Sequence, residues 1–248
     1  MINLQTKFPL AITSNDFLEP WGTRLDSSTN KRFNKKLYKL FPQNKPIKVL
    51  DLGCSGGGFI QSIIEDGHIG VGVEGSDWSK NLGRGAWNKI TTLFTADITK
   101  PLTVYEGSEM MKFDVITAWD VLEHIKEEDL FAVVNSILNH LKPKGLFICS
   151  IDEEENAVNG IHLHQTIQPK WWWENRLLDI GKSNKELVKY FNNQFLRGGK
   201  YDKSFNLVLT SGNYEIPKLT YKEKLMDMWW GSRAHRRIKN LLRNKSKE

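Results

Sequence analysis

The stretch Val49-Leu50-Asp51-Leu52-Gly53-Cys54-Ser55-Gly56-Gly57-Gly58-Phe59, VLDLGCSGGGF, decides the fold. Its apolar start reads as a buried strand, its glycines as a tight loop, and Phe59, Ile60, Ile63 and Ile64 as one face of a following helix. Glycine has no side chain and tolerates positive φ, so this backbone can approach a ligand closely. A Walker loop would end in Gly-Lys-Ser/Thr, whereas this loop ends Gly58-Phe59-Ile60 and offers no lysine to a phosphate. The dinucleotide fingerprint needs a second glycine where Ser55 stands. Asp51, at the strand end, repels a pyrophosphate and attracts a cation, so the ligand is expected to carry positive charge near the loop.

Outward from this loop, strands and helices alternate. Ile47 to Leu52, Ile69 to Glu74, Thr92 to Ala96, Phe113 to Trp119 and Gly145 to Ile151 read as strands. Helices are expected at about 33 to 41, at 58 to 65, from Asp77 to about Asn88, at 127 to 141 and at 170 to 181. Five buried-looking strands with intervening helices predict an α/β fold, a Rossmann-like doubly wound sheet of mostly parallel strands. The stretch KELVKYFNNQFLRGGKYDKSFNLVLTSG reads as a helix and then two strands around Gly198-Gly199, one of them antiparallel.

The 248 residues suit one large α/β domain or two small ones, and 40% hydrophobic with 26% charged residues is the balance of a globular protein. No signal peptide or membrane-spanning run is visible, which predicts a cytoplasmic protein. Cys54 in the loop and Cys149 in an apolar run are expected to be reduced and packed. Charge is unevenly placed. Residues 231–248 hold seven Lys or Arg and one Glu, equal to the whole chain's +6, so the remainder is formally neutral. The expected organisation is an N-terminal extension at 1–29, a main domain at 30–216 with an insertion at about 152–175, and a basic tail at 217–248.

Glu74 closes the second strand, where a carboxylate can accept both hydroxyls of a ribose, and Asp97 follows the third in TADI, placed to accept an amino proton from an adenine. Asp51, Glu74 and Asp97 thus end three successive strands on one sheet edge. With VLDLGCSGGGF, GVEGSD, TADI, FDVITAWDVLEHI and LKPKGLFICS in this order, the chain resembles a class I S-adenosylmethionine-dependent methyltransferase over about residues 30 to 210. The resemblance implies S-adenosylmethionine as cofactor, bound through Asp51, Gly53, Ser55, Gly56, Phe59, Glu74, Gly75, Asp97, Ile98 and Trp119. Ser55 replaces the family's commonest glycine.

Methyl transfer is an in-line displacement that needs alignment, and a base when the acceptor is a hydroxyl. Asp120 at the end of the fourth strand, His124 in WDVLEHI and His164 in NGIHLHQ are the candidate catalytic residues, since imidazole titrates near neutrality. No metal is expected. The alternative is a metal site from Asp120, Glu123 and His124 with His162 or His164, a pattern that resembles small-RNA 2'-O-methyltransferases and some ubiquinone-pathway O-methyltransferases. The other alternative is a non-catalytic cofactor-binding scaffold. One or two of Trp171, Trp172 and Trp173 are expected in the core and another beside the acceptor. The opening DFLEPWGTRLDSSTN resembles methyltransferases associated with cell-surface glycans, which implies a small-molecule or glycan acceptor with a sugar hydroxyl. In the tail, Leu225, Met228, Trp229 and Trp230 precede the basic cluster, a pattern suited to an anionic membrane surface, or otherwise to RNA phosphates.

Overall fold

The computed structural model of the chain describes residues 1–17, 20, 27–182, 187–189, 204–211, 221, 222 and 225. The strands are β1 (Ile2–Thr6), β2 (Lys48–Leu52), β3 (Ile69–Glu74), β4 (Leu93–Thr95), β5 (Leu102–Glu106) and β6 (Glu109–Met110), followed by β7 (Phe113–Trp119), β8 (Leu141–Asp152), β9 (Ala157–Val158), β10 (Ile161–His162), β11 (Leu187–Lys189) and β12 (Ser204–Ser211). The helices are α1 (Lys31–Tyr38), α2 (Gly58–Glu65), α3 (Trp78–Asn81), α4 (Leu130–His140) and α5 (Lys170–Lys182).

Among the described residues, seven strands form the central sheet in the order β11-β12-β8-β7-β2-β3-β4. β2, β3, β4, β7 and β8 run parallel to their neighbours, and β12 lies antiparallel to β8. The expected doubly wound, mostly parallel sheet with an antiparallel strand toward the C-terminal end is therefore present. Its strands alternate between two buried faces, as their period of two requires. Val49, Val115, Ile148 and Val208 meet Phe33 and Leu37 of α1 and Phe59, Ile60 and Ile63 of α2. Leu50, Ile116, Phe147 and Leu207 face the other way, against Val133 and Ile137 of α4 and Trp173 and Leu177 of α5. Burial on both faces explains why the strands read as continuous apolar runs. Cys54 and Cys149 are free and buried in these two layers.

Four local readings change. The expected N-terminal extension carries a strand: β1 pairs antiparallel with β5, and β5 with β6, as a small second sheet. The helix expected from Asp77 to about Asn88 stops at Asn81, because Gly83 and Gly85 adopt φ of 59° and 60°. Gly85 also lies so close to the glycine loop that a Cβ there would sit 2.2 Å from the Gly56 carbonyl oxygen. The helix expected at 127 to 141 starts at Leu130, and Glu123 and His124 ahead of it form a separate 3-10 turn, Leu122–His124. Finally, Leu187–Lys189, expected as helix, is a strand paired with β12, and Gly198-Gly199 lies outside the described residues.

Residues 1–214 form one compact unit and residues 215–248 a second. Of the tail, only Tyr221, Lys222 and Leu225 are described, all helical and exposed, so Met228, Trp229, Trp230 and the basic cluster lie outside the described residues. Among the described residues, no helix is long and apolar enough to cross a membrane.

Candidate functional site

The C-terminal ends of the parallel strands open into a cleft of about 410 Å³. Asp51 ends its strand 2% exposed, with Thr117 Oγ1 donating to its Oδ1 at 2.6 Å. The chain then turns at Gly53, where φ is 71° and an added Cβ would lie 2.3 Å from Val121 Cγ2, so only glycine fits. The Gly53 and Cys54 amides donate to the Val73 carbonyl at 2.8 and 3.1 Å, which fastens the loop to β3. Ser55 is held at φ 52°, and its amide donates to Glu74 Oε2 at 2.6 Å. Glu74 also accepts from the Gly75 amide at 3.0 Å and, at the limit of bonding, from the Ser76 amide at 3.5 Å. Burial raises its pKa, and the three amides work against that rise. Trp87 Nε1 donates to the Ser55 carbonyl at 2.9 Å, closing the outer side of the loop. Burial, with Glu74 and Asp51 beside it, pushes the Cys54 thiol up, so Cys54 is an inert packing residue.

Asp97 stands after β4, buried, with Oδ1 accepting from the Thr99 amide at 2.9 Å and from Thr99 Oγ1 at 2.6 Å. Ile98 lines the cleft next to it. Trp119 and Phe59 line the opposite wall, packed edge to face with centroids 6.0 Å apart. The sequence-predicted cofactor residues Asp51, Gly53, Ser55, Phe59, Glu74, Gly75, Asp97, Ile98 and Trp119 thus all line one cleft. Gly56 lies in the loop behind it, its carbonyl accepting from the Ala86 amide at 2.7 Å.

The rest of the cleft is built from loops. Asp120, at φ 52°, bonds Ser150 three times: its amide donates to Ser150 Oγ at 3.0 Å and to the Ser150 carbonyl at 3.1 Å, and its Oδ1 accepts from that hydroxyl at 2.7 Å. His124 and His164 meet edge to face with ring centroids 4.8 Å apart. His164 is 6% exposed, and its Nδ1 donates to the Glu154 carbonyl, which leaves the lone pair on Nε2. His124 Nδ1 is buried and has no hydrogen-bond partner; Asp16 Oδ2 lies 3.7 Å away, ion-pair distance but too long for a hydrogen bond. Burial lowers the pKa of both imidazoles, and carboxylates nearby, Asp16 for His124 and Asp152 for His164, oppose that shift.

Glu123 is fully buried beneath this pair. Its Oε1 accepts from the Asp152 amide at 2.9 Å and its Oε2 has no partner. Burial, then Asp120 and Asp152, pushes its carboxyl up to about 8, so Glu123 is protonated at neutral pH. Its backbone carbonyl accepts from the Gln165 and Thr166 amides and ties the 3-10 turn to the insertion.

Asp120, His124 and His164 are brought together, whereas His162 is exposed and faces Glu155 at 3.2 Å. Among the described residues, no three His, Cys, Asp or Glu side chains converge to hold a metal ion. Of the tryptophans, Trp173 is core, Trp172 packs against it edge to face, and Trp171 is 64% exposed; none of the three lines the cleft. Sequence reasoning missed Asp16 and Asn15. They come from the N-terminal segment, where Ala11 N donates to Gly75 O at 2.9 Å and Asn15 Nδ2 to His162 O at 2.7 Å. No local motif marks them, because only this path over the cleft gives them their place.

The comparisons with known proteins agree with this geometry. Residues 25–198, well over half of the chain, match the family described as methyltransferase domain. Curated relatives include a ubiquinone biosynthesis O-methyltransferase of Bartonella tribocorum, 28% identical over 128 residues, covering 50% of this chain and 49% of that protein. Another, of the same name from Pelagibacter ubique, is 26% identical over 62% of this chain and 68% of its own length. Apart from the latter, the chain spans about half the length of the curated relatives it matches. Among solved structures, an S-adenosylmethionine-dependent methyltransferase from Clostridium acetobutylicum has a TM-score of 0.55 at 16% identity, covering 80% of this chain and 99% of that one. Magnesium protoporphyrin IX methyltransferase from Synechocystis gives 0.52 at 13% identity, covering 81% and 98%. The chain belongs to the methyltransferase-domain family, a family that uses S-adenosylmethionine.

Proposed function

We propose that the chain is an O-methyltransferase that binds S-adenosylmethionine against Asp51, Glu74 and Asp97 and uses His124 as general base toward an acceptor hydroxyl. The observation that carries this reading is His124 Nδ1: a buried, partnerless ring nitrogen in the same cleft as the three strand-end acids. Burial keeps His124 neutral near pH 7, and because the ring's hydrogen bond to the Leu163 backbone cannot belong to the partnerless Nδ1, the N–H is on Nε2 and Nδ1 holds the lone pair for the proton of a hydroxyl. Glu74 recognises the ribose hydroxyls and Asp97 the adenine amino group. Asp51 and the glycine loop hold the methionine part, whose carboxylate meets the positive end of α2. The cofactor supplies a methyl group already activated by its sulfonium, so the protein's task is to align the hydroxyl oxygen and receive its proton.

The names of the curated relatives support oxygen as the acceptor atom. The tryptophan expected beside the acceptor is not there, since none of Trp171, Trp172 and Trp173 lines the cleft, and a sugar hydroxyl rests on the resemblance of DFLEPWGTRLDSSTN alone. A wider opening of about 700 Å³ adjoins the cleft through Asn15, Lys126, His164 and Gln165, room for the body of an acceptor whose hydroxyl reaches His124. Attachment of the basic tail to an anionic surface rests on its sequence alone, and RNA is the alternative partner for it.

The test is S-adenosylhomocysteine release with phenols, sugar alcohols and amines of similar size. Turnover is expected with a hydroxyl acceptor. His124→Ala is expected to lower kcat by about 100- to 10,000-fold, the range for removal of a positioned base, with cofactor affinity unchanged. Turnover of amines alone, or a His124→Ala enzyme at the wild-type rate, overturns the reading.

A further inference from the structure

His124 has one charged neighbour that no strand-end motif supplies. Asp16 arrives on the N-terminal segment, and Ser14 Oγ donates to its Oδ1 at 2.5 Å, which turns Oδ2 toward His124 Nδ1 at 3.7 Å. The segment is fixed at both ends of the cleft. On the cofactor side Ala11 N donates to Gly75 O, and Ser76 Oγ to Phe17 O at 2.9 Å; on the acceptor side Asn15 Nδ2 reaches His162 O at 2.7 Å. Asp16 and His124 side chains are only 21% and 19% exposed, so little water screens them from each other.

We propose that Asp16 acts through His124 as a positioning residue, its carboxylate stabilising the imidazolium that forms when His124 takes the acceptor's proton. This rests on the reading of His124 as base. In the transfer step the acceptor oxygen forms its bond to the methyl carbon as the carbon–sulfur bond breaks, and the sulfonium becomes a neutral thioether. The hydroxyl proton passes to His124 Nδ1. The positive charge that leaves sulfur therefore reappears on His124, within 3.7 Å of Asp16.

Other groups facing His124 cannot take this part as well. His164, from the loop after β10, is itself a base and repels a second positive charge; its Nδ1 is committed to Glu154. Asp120, from the end of β7, acts on His124 less strongly than Asp16 and is itself bonded to Ser150. The Leu163 backbone also favours the protonated ring but carries no charge. Because the segment that bears Asp16 is fastened to Gly75 and Ser76, next to Glu74, the cofactor side also fixes where Asp16 sits.

The test compares the full-length wild type with Asp16→Asn and Asp16→Glu. It uses kcat between pH 5 and 9 and the titration of His124 followed by NMR on histidine-labelled protein, assigned with His124→Ala. Asp16→Asn is expected to lower kcat by about 10- to 100-fold, to move the acid limb of the pH profile to lower pH, and to shift the His124 titration the same way. Cofactor affinity is expected to stay within about twofold, and Asp16→Glu to recover part of the rate and the titration shift. A uniform loss of rate in Asp16→Asn, with the limb and the His124 titration unmoved, makes Asp16 merely structural and overturns the proposal. The NMR titration reads the field of Asp16 with no turnover, so the two readings fail separately. An inactive His124→Ala beside a wild-type Asp16→Asn removes only the role of Asp16. A fully active His124→Ala removes the base.

Discussion

Glu74 and Glu123 are both buried carboxyls lining the same cleft, yet they are treated in opposite ways. Glu74, at the end of β3, takes amides from Ser55, Gly75 and Ser76. Glu123, in a loop turn, has one amide and an oxygen with no partner. The contrast extends to their surroundings. Asp51, Glu74 and Asp97 stand at or just after the ends of three hydrogen-bonded parallel strands, so their spacing is set by the sheet. Asp16, His124 and His164 come from three loops, and their spacing is set by a few long-range contacts such as Asn15 to His162. In the half of the cleft assigned to the cofactor Glu74 meets three amides, whereas in the half assigned to the acceptor Glu123 Oε2 and His124 Nδ1 are buried without a hydrogen-bond partner. Unmet groups are where an incoming acceptor gains the most, since the protein gives up no internal bond to meet it.

The sharpest way to break this contrast is Glu74→Ala. It deletes the carboxylate proposed to hold the ribose and releases three loop amides, so S-adenosylmethionine affinity should fall by about 1 to 3 kcal/mol, roughly 5- to 150-fold. The His124 titration should not move, because Glu74 is not among the groups that act on it. Calorimetry and histidine NMR on the same variant check both halves. If the His124 titration shifts as well, the two halves are coupled through the N-terminal segment and the division drawn here fails.

The same division governs what was legible in the sequence. The strands and the glycine loop could be read because their signals are local: alternate faces of Val49 and Leu50, or a turn in which Gly53 has no room for a Cβ. The helix expected after Asp77 was cut short by Gly83 and Gly85, whose left-handed φ serves close approach to the glycine loop rather than a helical face. β1 escaped because Asn3, Gln5 and Thr6 look like loop residues until β5, about a hundred positions on, pairs with them. Asp16 escaped for the same reason. Its meaning lies in a contact with His124 that no spacing rule anticipates.

A second effect separates the halves by stability. The Glu123 carboxyl is pushed up to about 8 when folded and returns to an ordinary carboxyl pKa when unfolded. The folded state therefore holds a proton that the unfolded state has released. Its stabilising contribution is full below the unfolded pKa and is lost as pH rises toward 8, at up to about 1.4 kcal/mol per pH unit. Glu123→Gln keeps an oxygen for the Asp152 amide and removes the titration. Its stability relative to wild type, from urea unfolding, should increase steadily between pH 5 and 8. A difference that stays flat across that range means Glu123 is ionised in the fold, with a partner for Oε2, and the acceptor half is then as satisfied as the other.

The smallest effect concerns two residues with the same strained backbone. Ser55 and Asp120 both sit at φ 52°, one in each half. A left-handed conformation costs a side-chain-bearing residue about 1 to 2 kcal/mol, and glycine escapes that cost while adding freedom to the unfolded chain. Ser55→Gly keeps the amide that donates to Glu74, since that bond belongs to the backbone. It should therefore stabilise the fold by about 0.5 to 1 kcal/mol, a Tm rise of roughly 1 to 4 °C for a domain of this size, with cofactor affinity within twofold. Asp120→Gly relieves the same strain but loses the carboxylate that accepts from Ser150 Oγ at 2.7 Å, a charge-assisted bond worth about 1.5 to 3 kcal/mol. Aspartate also tolerates this φ better than serine, so less strain is there to relieve. Asp120→Gly should lower Tm. Opposite signs at equal φ would show that strain near the glycine loop is incidental, whereas strain at Asp120 is held in place by a side chain facing the acceptor. A rise in Tm for both would mean the Ser150 bond does not hold Asp120, and a fall for both would mean the Ser55 side chain braces the loop that the family usually builds with glycine.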